Sequence, residues 1–74
     1  MKELDKSKAY DLRFLNYNQF IKIQEEFKKQ GEWKMLGFEY AKKSPCVYYS
    51  KISERWYRDF TENIEIIDAL ELFK

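Results

Sequence analysis

With one cysteine and no histidine among its 74 residues, this chain has neither an internal disulfide nor the ligand set of a structural zinc site, so apolar burial alone must hold it together. A domain of this length hides only about 60% of the surface its unfolded form exposes. The two tryptophans, six tyrosines and six phenylalanines are the means available, because each ring covers about 150–250 Å² at small cost in rotamer freedom. Eight of these rings fall between Trp33 and Phe60.

Charge is placed as unevenly as the rings. Residues 33–60 carry Lys34, Lys42, Lys43, Lys51, Arg55 and Arg58 against Glu39, Glu54 and Asp59, whereas residues 61–73 carry Glu62, Glu65, Asp68 and Glu71 and no cation. The net charge of +1 argues neither for nor against nucleic acid. No apolar run approaches the roughly 18 residues of a membrane span, and the N-terminus lacks the apolar stretch of a signal peptide. A lone cysteine suits a reducing compartment. A soluble protein of the cytoplasm is expected, without a membrane partner. Lysine outnumbers arginine eleven to three and alanine and glycine are scarce, a bias of AT-rich coding sequence that suggests a low-GC bacterium, its phages or its plasmids.

Periodicity predicts a small single α+β domain over residues 9–74 behind a disordered lead-in, residues 1–8, which alternate charge without apolar spacing. Tyr10, Leu12 and Phe14 alternate with Asp11 and Arg13 as a half-buried strand does. Asn16 with Gln19 forms a capping box, with Leu15 and Phe20 placed as a hydrophobic staple. The helix runs to Gln30, lined by Tyr17, Phe20, Ile23 and Phe27, with Lys28 and Lys29 at the negative end of its dipole and Gly31 at a left-handed C′ position. Trp33 to Lys42 is expected to be extended, with a bulge at Gly37. Lys42-Lys43-Ser44-Pro45 follows as a turn, and Cys46 to Tyr49 as the second strand of an antiparallel hairpin. Residues 50–60 fit a strand or a helix, with strand preferred. From Thr61 the acids at every third position suggest a C-terminal helix, although Ile64-Glu65-Ile66 also fits an extended segment. The expected order is β-α-β-β-(β)-α, an antiparallel sheet of three to four strands packed against one N-terminal and one C-terminal helix.

The residues needed for several chemistries are missing. Without histidine, Cys46 has no imidazole to activate it, and the arginine that phosphatase-like spacing requires six residues later is Ile52. Asp11 followed by Glu32-x-Lys34 resembles the acidic elements of restriction-type nucleases, but about two acid-x-Lys pairs are expected by chance in such a composition, and two occur, the second at Glu26-x-Lys28. Gly31 and Gly37 are too few and wrongly spaced for a phosphate loop. The acids from Glu62 to Glu71 lack a calcium-loop pattern. No catalytic residue, metal site or cofactor is expected, and the chain is read as a non-enzyme.

What remains is recognition. Trp33, Tyr40, Lys42, Lys43, Tyr49, Lys51, Arg55, Trp56 and Arg58 form the candidate contact surface, because a single small sheet cannot bury rings on both of its faces. The preferred expectation is a phage- or mobile-element-encoded inhibitor that binds a host protein stoichiometrically and blocks a host macromolecule or defence system. The alternatives are a single-stranded nucleic-acid binding module, with bases stacked on the rings, and an oligomer that sequesters a nucleotide or small anion.

Overall fold

A computed structural model of the chain describes residues 1–34, 37–43, 46–57 and 64–74. Its elements are β1 (Ala9–Asp11), α1 (Tyr17–Gln30), α2 (Phe38–Lys43), β2 (Cys46–Ser50), β3 (Arg55–Tyr57), β4 (Ile66–Asp68) and a terminal 3-10 helix (Ala69–Phe73). The domain is α+β, and its four-stranded sheet has the order β3-β2-β1-β4. β1 pairs antiparallel with β2 and β2 with β3, but β1 and β4 are parallel, aligned from Ala9↔Ile66 to Asp11↔Asp68. The sheet is therefore mixed, not wholly antiparallel. The chain leaves β3 and returns at the opposite edge, as parallel pairing requires of a crossover.

α1 forms as its sequence dictates. The Asn16 side chain accepts from Gln19 N–H at 2.9 Å, and the Gln19 side chain accepts from Asn16 N–H at 3.0 Å, closing the capping box. Phe20, Ile23 and Phe27 are fully buried along one face. Tyr17, the first residue of the helix, does not join them and stays exposed. Gly31 has φ 171°, an extended conformation rather than the left-handed one. Its missing side chain serves close packing instead: a Cβ there would lie 2.8 Å from Tyr49 Cε1 and 3.3 Å from both Glu54 O and Trp56 Nε1.

Three further expectations are corrected. Within the stretch expected to be extended, Phe38–Lys43 is helical; Phe38, Ala41 and Lys42 follow the i, i+3, i+4 spacing of a helix face, and Ala41 is buried. Lys42 and Lys43 accordingly end a helix, while the rest of the proposed turn, Ser44 and Pro45, lies outside the described residues. The expected C-terminal α-helix is a short strand followed by a 3-10 helix. Asp68 ends the strand and caps the 3-10 helix, its side chain accepting from Leu70 N–H at 3.0 Å, so the spaced acids do not share one helix face. The first eight residues, finally, are packed. Leu4 sits in the core, Lys2 N–H donates to Leu72 O at 2.6 Å, and Asp5 N–H donates to the Tyr10 hydroxyl at 2.7 Å.

Core side chains gather on the α1 face of the sheet. Val47 and Trp56 project inward beside Tyr10, with Phe27 wedged between Trp33 (centroids 4.9 Å) and Trp56 (4.7 Å). The preferred strand in residues 50–60 is present as β3, and Arg58 to Phe60 lie outside the described residues.

Candidate partner-binding surface

The nine residues expected to form one surface are divided by the fold. Both indoles are interior, Trp33 at 8% and Trp56 at 3% exposure, which corrects their placement on the contact face. Trp33 is fixed by its Nε1–H donating to the buried Gln24 Oε1 at 3.0 Å. Trp56 Nε1 is buried without a hydrogen-bond partner among the described residues and lies against Gly31. Tyr49 is half-buried, edge-on to Trp56 at 5.2 Å, with the Lys6 ammonium 4.5 Å above its ring. Arg55 is held 3.3 Å from Glu32 and lies over the Tyr57 ring. Lys51 is exposed in the hairpin turn. Arg58 lies outside the described residues.

Strand alternation explains the division. Tyr49 and Trp56 are cross-strand partners and point with Val47 toward α1, whereas the neighbouring partners Tyr48 and Tyr57 point the other way and stack on one another at 5.7 Å. The sheet does carry rings on both faces. Those on the outer face are half-buried.

Tyr40, Lys42 and Lys43 remain exposed, and α2 carries all three. The most exposed rings among the described residues are Tyr17 at 59%, Phe14 at 58% and Tyr40 at 50%. Tyr17 meets Phe38 edge-to-face at 5.6 Å, Phe38 rests on buried Phe20 at 5.4 Å, and Lys42 Nζ stands 4.5 Å from the Phe38 centroid. Arg13 covers the Phe14 ring at 5.3 Å. The result is a surface of rings and cations built on the N-terminal end of α1 and on α2, rooted in the core through Phe20 and Ala41.

Sequence reasoning assigned Phe14 and Tyr17 to buried faces because both fit the periodicity of their elements. The overlooked signal is position. β1 ends at Asp11, and Asp11 draws the chain into a turn by accepting from Arg13 N–H (3.0 Å) and from the Arg13 guanidinium (2.8 Å at its closest). Burial by itself raises the Asp11 carboxyl, but the side-chain and backbone bonds from Arg13 together outweigh it and hold the group below the ordinary aspartate value. Cys46, the cross-strand partner of Asp11, has its thiol pushed up, chiefly by burial and further by the Asp11 charge; a thiol kept protonated is a poor nucleophile. Cys46, Asp11 and Asp68 form one row across β2, β1 and β4, yet among the described residues no group of three or more such side chains is placed to hold a metal.

A shallow groove at the opposite end of α1 is lined by Glu3, Leu4, Asp5, Lys6, Lys29 and Gln30. Its mixed charges favour no anion. Among the described residues no helix is long and apolar enough to cross a membrane. No family model, no curated protein and no solved structure matches the chain.

Proposed function

We propose that this chain is a non-enzymatic binding protein of a phage or mobile element, which docks on a host protein through Tyr17, Phe38 and Lys42, with Phe14, Tyr40 and Lys43 at the margins, and blocks it stoichiometrically in the host cytoplasm. The observation that carries the proposal is Tyr17, 59% exposed and edge-to-face with Phe38, whose ring also lies under the Lys42 ammonium, so that an open ring and a cation are fixed side by side. Rings flanked by cations are the composition of interface anchors. They are also pre-organised, because Phe38 is fixed by Phe20 beneath it and α2 by buried Ala41, so little freedom is lost on contact.

Ring geometry favours a protein over single-stranded nucleic acid. A stacked base needs an open ring face, and two of these rings are already engaged, Phe38 by Lys42, Tyr17 and Phe20 and Phe14 by Arg13. A sequestered nucleotide is disfavoured by the carboxylates of Glu3 and Asp5 in the groove.

The test is capture from host lysate, purification of the captured protein, and titration against parent and variant. The proposal expects saturation at one equivalent, and affinity at least about tenfold weaker for Tyr17→Ala with Lys42→Glu. Binding to single-stranded oligonucleotides that falls steeply with salt would point to nucleic acid instead.

A further inference from the structure

Lys42 has a carboxylate within helical reach and does not use it. Glu39 precedes it by three residues on α2, the spacing at which Glu26 meets Lys29 at 3.2 Å and Glu71 meets Lys74 at 3.0 Å. The Lys42 ammonium stands instead 4.5 Å from the Phe38 centroid, and it makes no ion pair with a carboxylate among the described residues.

Docking changes what that ammonium needs. A ring attracts it from one side by its quadrupole but offers no lone pair to its N–H donors, which water serves while the surface is open. Lys42 stands on the same ring that Tyr17 meets edge-to-face at 5.6 Å, so a partner that covers Tyr17 and Phe38 strips water from Lys42 as well. An ammonium left without an acceptor in such a contact is strongly unfavourable. The acceptor therefore has to arrive with the partner, and an ionised one makes the shorter and stronger bond.

We infer, resting on the docking surface proposed above, that the partner protein presents an aspartate or glutamate carboxylate to Lys42, beside an apolar group that covers Tyr17. Charge complementarity points the same way. α2 carries Lys42 and Lys43 against Glu39 alone, an excess that draws in a negative surface and disfavours a positive one. Arg13, the cation over Phe14, is already matched by Asp11 at 2.8 Å, which leaves Lys42 as the charge to be answered. A nucleic-acid backbone is the poorer source of the anion, because it is held by cations tracking many phosphates, and α2 supplies two.

The test is carbodiimide coupling, which joins an amine to a carboxylate in direct contact, applied to the chain and the purified protein it captures. An amide is expected between Lys42 Nζ and one aspartate or glutamate of that protein. Lys42→Gln should weaken the purified pair by at least about tenfold and flatten its salt dependence. Lys42→Arg, which keeps the charge, should regain most of the affinity that Lys42→Gln loses while abolishing the crosslink, and Glu39→Gln should bind as tightly as the parent or more so. No coupling at Lys42, coupling of Lys42 to Glu39 within the chain, full affinity of Lys42→Gln, weaker binding of Glu39→Gln, or displacement of the captured protein by single-stranded oligonucleotide would each overturn the inference. Tyr17→Ala separates it from the reading beneath it. If Tyr17→Ala weakens binding and Lys42→Gln does not, the docking surface stands and the carboxylate falls; if neither weakens it, both fall.

Discussion

Gly31 shows how a single position can be decided by space rather than by backbone freedom. Its extended φ suits any residue, but Tyr49, Glu54 O and Trp56 crowd the place a methyl group would take. Gly31→Ala should destabilise the fold by roughly 1–3 kcal/mol, read as a lower urea midpoint. Asp11 supplies a pH-dependent counterpart. Its folded carboxyl lies below the ordinary value, so its contribution is complete above about pH 4 and is lost as the pH falls through the lowered folded value. Asp11→Asn should therefore cost roughly 1–2 kcal/mol at pH 7, and the difference from the parent should shrink progressively in acid. A constant difference across that range would contradict the assigned role.

At the scale of elements, legibility followed the number of independent signals. α1 had a capping box, a repeating apolar face and terminal lysines, all in agreement, and it formed where expected. α2 has six residues, too few for periodicity to outweigh the alternation of Leu36, Phe38 and Tyr40, and a helix that short persists only because Ala41 and Phe38 pack on the core. The parallel register of β4 depends on a long-range pairing that no local pattern encodes. The N-terminal segment was hidden for a related reason: Leu4 is one apolar residue among charges, and its burial depends on Leu72 and Tyr10 arriving from elsewhere. Leu4→Ala should lower the thermal midpoint, at a cost of about 2 kcal/mol or more, whereas a loose lead-in would leave it unmoved.

For the whole molecule, the aromatic surplus is real but distributed differently from the linear sequence. Both indoles of the ring-rich segment are interior, beside Tyr10, Phe20 and Phe27 from the first half of the chain, while the open rings stand where a strand ends, where a helix begins and on a helix too short to announce itself. Of the expected contact residues, Lys42 joins the Tyr17–Phe38 pair, Tyr40 and Lys43 are exposed on the same short helix, and Lys51 lies in the hairpin turn. Tryptophan emission should accordingly be blue-shifted and resistant to acrylamide in the folded protein, because both indoles are interior; ready quenching would place one of them outside. The central claim is that Tyr17 and Lys42, which flank core-packed Phe38, are spent on a partner rather than on folding. Its most direct measurement compares Tyr17→Ala/Lys42→Glu with the parent, by thermal midpoint and by titration against the purified partner. The account predicts a midpoint within about 2 °C of the parent together with a loss of affinity of at least about tenfold. Full affinity, or collapse of the fold, would contradict it.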